Sequence, residues 1–258
     1  MRYLLPLLAV ALVLLVGCPA IVTLETPTVT KTALDTDSGG TLRLSWTAVA
    51  SATEYYIYYD GHTTKDTSIT GTQIDVTTPC SKIEVTAHTS SAESDPASID
   101  CKAVTTSSIT VYYTSDATHA EHAIGFTTDG TCTAMDFSTP TSIDFVFDDT
   151  TTYQGSTVPG FWSPDMYADP YNSKDNSVVA ASGTDFDALE IATAPGTYMT
   201  RLAITSGALY SAWIDPLNDA WTTDDHFAKI KVEQISGTTI TLKAAYQKIG
   251  GLRWLVSQ

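Results

Sequence analysis

Positive charge is scarce in this sequence: 13 Lys and Arg stand against 29 Asp and Glu, for a net charge of −16. Neutralising phosphates requires a basic footprint, so nucleic acid is excluded as an expected partner. The same sign argument excludes direct adhesion of the protein face to an anionic membrane. Cysteine is also rare, with four in 258 residues, so bridges within the chain are few. Nucleophile and metal motifs are missing. No GxSxG stands anywhere, and His119-Ala-Glu-His122 has neither the gap of an HExxH helix nor the HxxEH order. Asp224-Asp225-His226 has no nucleophile motif to serve, and Asp169-x-x-Asn172-x-x-Asp175 fails the alternating spacing of a calcium loop. No catalytic residue is therefore assigned. What is abundant is Thr and Ser, spread among short apolar alternations, and that pattern favours strands over helices.

The one long apolar run is at the start. Arg2 is followed by Leu4, Leu5, Leu7, Leu8, Val10, Leu12, Val13, Leu14 and Leu15, a stretch too short to span a bilayer as a mature helix and built like an export signal. Leu15-Val16-Gly17-Cys18 resembles the bacterial lipobox. The resemblance implies a signal peptide over residues 1–17, cleavage before Cys18 and lipidation of Cys18, with residues 18–25 as a short tether. The membrane is then met through the lipid. Pro19 stands where the retained inner-membrane lipoproteins have Asp, which implies the outer membrane or cell surface in a cell with two membranes. An ordinary signal peptide with a coincidental Cys18 is the alternative.

Residues 41–48 alternate with Leu42, Leu44 and Trp46 on one face, and residues 53–59 with Tyr55, Ile57 and Tyr59. With Ile83, Val85 and Ala87 as a later strand and Ser94 to Ser98 as a turn, residues 26–104 resemble a fibronectin type III module. In that resemblance the strands are B, C, F and G, and Asp35 to Gly40 form the AB turn. Ser81 stands where the family has its corner tyrosine, so that corner is held differently. An F–G hairpin centred between Ser90 and Ser91 sets Cys80 opposite Cys101, with Cα atoms about 4.5 Å apart and within disulfide reach. Cys132 is left as a buried free thiol, with its pairing to either of the other two as the alternative.

Residues 105–258 have no internal repeat and resemble no family. Strands are expected at Ser107–Tyr113 and Ser142–Phe147, and a closing hairpin pairs Ile230 and Val232 with Leu242 and Ile240 around the loop Ile235-Ser236-Gly237. Lys229, Lys231 and Lys243 are then expected on a solvated face. Thr184 and Asp187 have the spacing of a capped short helix over Thr184–Ala192. From Val158 to Asn176, aromatics are interspersed with prolines, which predicts a long loop. Phe161, Trp162, Asp165, Tyr167, Asp169 and Tyr171 are its candidate ligand-binding residues, because exposed rings stack on sugars or apolar ligands. The opposing reading folds these rings into the core.

Residues 105–228 hold only Lys174 and Arg201 against seventeen acids, a balance that keeps a secreted protein soluble or gathers Ca²⁺. No other cofactor is implied. The expected architecture is mainly all-β: a fibronectin type III-like sandwich followed by a larger β-rich sandwich-like domain, 105–258, with few short helices. The expected function is that of a non-enzymatic, lipid-anchored cell-envelope protein presenting a binding domain to a glycan or protein ligand. A secreted polysaccharide-acting hydrolase and a structural component of an envelope assembly are the alternatives.

Overall fold

The computed structural model describes residues 23–138, 142–153, 156–167, 176–181, 183–215 and 220–257. The leader and Cys18 lie outside these residues. The described chain is all-β, with 3-10 turns at Asp35–Asp37 and Pro164–Met166. No helix among the described residues is long and apolar enough to cross a membrane.

The first sandwich occupies residues 29–100. It is built from β1 (Val29–Ala33), β2 (Leu42–Trp46), β3 (Glu54–Tyr59), β4 (Thr67–Ile69), β5 (Gln73–Val76), β6 (Lys82–His88) and β7 (Ala97–Asp100). A three-stranded sheet, β1-β2-β5, packs on a four-stranded sheet, β4-β3-β6-β7. The alternation in β2 and β3 sends Leu42, Leu44, Tyr55 and Ile57 inward, and all four are buried. Trp46 meets Tyr55 edge-on at 5.2 Å, a favoured arrangement of two ring quadrupoles. The corner at Ser81 is held by Asp60, whose Oδ1 accepts from the Ser81 amide and hydroxyl, both at 2.7 Å.

One register differs from expectation. The bridge His88–Glu93 has the expected pairing, but beyond Pro96 the partners are Val85–Ala97, Ile83–Ile99 and Lys82–Asp100, one residue out of step. Proline has no amide to donate to the ladder, so the slip falls at Ser94 to Pro96. There Ser94 Oγ accepts from the Ala87 amide at 2.9 Å. Cys101 consequently faces Ser81, donating its amide to the Ser81 carbonyl at 2.9 Å, and is not directly opposite Cys80.

The second sandwich comprises β8 (Val104–Tyr112), β9 (Ala123–Phe126), β10 (Cys132–Met135), β11 (Phe145–Asp148), β12 (Thr152–Tyr153), β13 (Ser156–Thr157), β14 (Gly160–Trp162), β15 (Ser177–Ala180), β16 (Arg201–Ala203), β17 (Leu209–Ile214), β18 (His226–Ser236) and β19 (Thr239–Tyr246). Two five-stranded sheets, β10-β9-β11-β14-β16 and β15-β17-β18-β19-β8, enclose its core. In the β18–β19 hairpin the expected residues share the inner face, but Val232 pairs with Leu242 and Ile230 with Ala244. The turn is tighter than expected, at Gly237-Thr238, with Gly237 at φ +60° and a bulge between Val232 and Gln234.

Thr184–Ala192 forms turns and no helix. It is held by lysines from the neighbouring sheet, so the expectation of a solvated basic face is corrected. Lys229 is fully buried, and its ammonium donates to the Phe186 carbonyl at 2.7 Å and the Leu189 carbonyl at 3.1 Å. Lys231 donates to the carbonyls of Thr184 and Gly207. Lys243 lies 4.2 Å above the Phe186 ring. Carbonyls and a ring face thus take the place of water around these cations.

The chain then returns to the first sandwich. Ile249, Leu252 and Trp254 belong to the core formed by β2, β3 and β6. The Trp254 indole, fully buried, donates to the Gly40 carbonyl at 2.9 Å. The Arg253 guanidinium donates to the carbonyls of Ala192 at 2.7 Å, Ser38 at 2.9 Å and Asp37 at 3.2 Å. Gly39, at φ +82°, is close to Gly251: a Cβ there would lie 1.7 Å from the Gly251 carbonyl oxygen. Only glycine fits such an approach.

Candidate functional site

Where it is described, the aromatic stretch folds into the core, as the opposing reading has it, and the expectation of a long loop is corrected, since Gly160–Trp162 is a strand. Phe161 and Trp162 lie on β14, between β11 and β16, and are 0% and 1% exposed. Pro159 and Pro164 bracket a three-residue strand and so terminate it without preventing it. Gly160 lets that strand approach β16, since a Cβ there would meet the Leu202 carbonyl oxygen at 2.1 Å. Phe161 packs among Phe145, Phe147 and Tyr210 at ring distances of 5.7, 5.1 and 5.2 Å. Trp162 faces the other way, into a small cluster with Ala123, Ile143 and Val146 that Met166 and Tyr167 cover. Asp165 sits half-buried on the 3-10 turn after it. Asp169 and Tyr171 lie outside the described residues.

Tyr167 completes a polar node. Its hydroxyl donates to Asp148 Oδ2 at 2.6 Å, and burial, then this carboxylate, push its pKa up. Asp148 is 1% exposed and also accepts from Thr114, from the amides of Thr150 and Thr151 at 2.7 and 2.9 Å, and from the Thr151 hydroxyl at 2.5 Å. Burial alone raises its pKa; the hydrogen bonds from Thr151 and Tyr167 outweigh burial and hold the carboxyl below the usual range. A second buried node joins the two sheets: the Asn176 amide donates to the Asp144 carbonyl at 2.9 Å, and Asn176 Oδ1 accepts from the Asp215 amide at 2.9 Å. Both nodes fix loops to strands, and the fold uses their polar atoms for itself.

The histidines are similarly engaged. His119 stacks on Tyr112 at 3.6 Å and approaches Asp116 Oδ1 at 3.1 Å, while His122 Nδ1 lies 3.2 Å from the Tyr112 carbonyl. His226 Nδ1 lies 2.9 Å from the Gln247 carbonyl, and Asp225 accepts from the Thr222 amide at 2.8 Å. Among the described residues no three His, Cys, Asp or Glu side chains assemble as a metal site.

One opening among the described residues lies where the two sandwiches meet. A cleft of about 550 Å³ is lined by Lys31 and Thr32 from β1, Asp100 from the end of β7, and Thr223, Gln247 and Lys248 from the second sandwich. Gln247 forms its floor: the buried amide donates to the carbonyls of Cys101 and Trp254 at 2.9 and 2.8 Å, and its Oε1 accepts from the Ile249 amide at 2.9 Å. Lys248 lies 3.8 Å from Asp100, a long and exposed ion pair of little intrinsic strength. Two lysines and one carboxylate, Asp100, therefore line this cleft. No motif announced it, because its walls come from residues more than 200 positions apart.

Cys80, Cys101 and Cys132 are free and buried. Cys80 and Cys101 share the first core, while Cys132 lies in the second. The Cys80 thiol is within hydrogen-bonding reach of Cys101, and that contact, then burial, push its pKa up. The expected bond is absent in this structure, although the two groups are brought together.

No family model matches the chain, and no curated protein does. Among solved structures it is similar to one described as FN3tt mut, at 20% identity and a TM-score of 0.26 over 30% of this chain and 92% of the other. It is also similar to a DUF4466 family protein from Parabacteroides merdae, at 11% identity and a TM-score of 0.40 over 88% of this chain and 99% of the other.

Proposed function

We propose that the protein is a non-enzymatic, lipid-anchored cell-envelope protein that binds a glycan or protein ligand in the cleft between its two sandwiches. The observation that carries this reading is the cleft itself: a concave opening at a domain junction, with two lysines and two threonines on its walls. Ligand sites concentrate at such junctions. Ammonium groups beside hydroxyls suit a ligand that carries carboxylates or sulfates among hydroxyl groups. The buried aromatics and the engaged histidines favour a site here over one on the loop after β14.

The anchoring half of the proposal rests on the lipobox-like residues ending at Cys18. Replacing Cys18 by Ala is expected to move the protein from the membrane to the soluble fraction; unchanged partition refutes the anchor. For the binding half, the protein is applied to an array of neutral and acidic glycans beside the Lys31→Ala/Lys248→Ala variant. Signal on acidic glycans that drops at least tenfold in the variant supports the cleft, and equal signal from both proteins refutes it.

A further inference from the structure

We infer that Cys80 and Cys101 are a disulfide pair that closes the base of the F–G hairpin and fixes the chain where it crosses from the first sandwich to the second. Cys80 immediately precedes β6, Cys101 immediately follows β7, and both side chains turn into the same core, 3% and 0% exposed. The slip in register at Ser94 to Pro96 removes the direct opposition of the two residues. It does not separate them: the Cys101 amide donates to the carbonyl of Ser81, the residue after Cys80, at 2.9 Å, and both side chains lie in the same core. Among the described residues no other thiol competes nearby, since Cys132 is enclosed in the second core with Ile109, Phe145 and Tyr246.

The Cys101 carbonyl accepts from the Gln247 amide at 2.9 Å, and two residues on the Ala103 amide donates to the Val256 carbonyl at 2.8 Å. Cys101 thus lies at the crossing point of the chain, against the returning C-terminal segment. A covalent tie from it to the start of β6 joins that segment to a central strand of the first sandwich.

The chemistry balances with a small-molecule or protein disulfide as oxidant. One Cys thiolate attacks a sulfur of the oxidant, giving a mixed disulfide and releasing one thiol. The other Cys thiolate displaces the second thiol. The two cysteines lose two electrons and two protons, and both pass to the leaving thiols. Because both groups are buried in the folded protein, this exchange belongs to folding, before the core closes.

The test uses the full chain with Cys18→Ala, which keeps the leader cysteine out of the exchange. The reduced, unfolded protein is refolded with oxidised and reduced glutathione, quenched in acid, alkylated under denaturing conditions and mapped by mass spectrometry. A Cys80–Cys101 peptide with Cys132 alkylated is the expected result. Alkylation of both Cys80 and Cys101, or a peptide containing Cys132 in a bridge, overturns the inference. The bond closes a loop of roughly 20 residues, for which reduction is expected to lower Tm by about 6–12 °C. In Cys80→Ser/Cys101→Ser the Tm is expected to be insensitive to reductant. If that variant does not fold, the peptide map and the Tm of the parent with and without reductant decide alone; equal values overturn the inference.

Discussion

Trp254→Ala is the perturbation that best separates a shared core from two independent sandwiches. Trp254 is distant in sequence from β2, β3 and β6, yet its ring is fully enclosed among them, with the indole bonded to Gly40. Truncating a buried Trp costs about 3–5 kcal/mol. Leaving the Gly40 carbonyl without its donor adds about 1 kcal/mol. The total, about 5 kcal/mol, is roughly a 10³–10⁴-fold change in an opening equilibrium. Hydrogen exchange read by mass spectrometry localises where that loss falls. Peptides spanning β1 to β3 and β6 are expected to lose protection by that factor, while those of β18 and β19 retain most of theirs. Unchanged protection in β2 and β6 would show that the first sandwich needs nothing from residues 249–254, and it refutes the reasoning.

Two further perturbations probe the buried charges. Burial lowers the Lys229 pKa to about 8 from an ordinary 10.5, so between those values the unfolded chain binds more protons and stability rises with pH. The rise is about 3 kcal/mol between pH 8 and 10.5, and in urea titrations Lys229→Met is expected to flatten it relative to the parent; an identical slope refutes the assignment. Asp148, whose folded pKa is depressed, stabilises the protein above about pH 4 and loses that contribution as pH falls further. Asp148→Asn is expected to cost about 3 kcal/mol at pH 7, with a gap to the parent that narrows below about pH 4 in the same assay. A gap independent of pH would mean that the charge is not the cause.

The alternation of apolar and polar residues made the first sandwich legible, because each strand buries one face and the period of two fixes which side chains go in. Trp46, Tyr55 and Ile83 are where that pattern puts them. Register was less legible. In the β6–β7 pair a single residue slipped at Pro96, and in the last hairpin the turn closed at Gly237-Thr238, one residue shorter than expected, with the register shifted by two residues. Side chains constrain parity; the turn and the bulge set the count. Phe161 and Trp162 depart from the expected loop because the flanking prolines delimit a short strand and do not exclude it. Lys229 is a case where sequence carries almost no signal, since a lysine on a strand is ordinarily exposed and the carbonyls that bury it come from a loop about 40 residues away. The junction cleft was invisible for the same reason: its walls are distant in the chain and meet only in the fold.

The return of residues 249–254 also sets the order in which the chain can be completed. The first sandwich finishes its own strands at Asp100, yet its core stays open until a segment about 150 residues further along arrives. During synthesis it therefore cannot close ahead of the rest, and early-made strands wait with apolar surface unpaired.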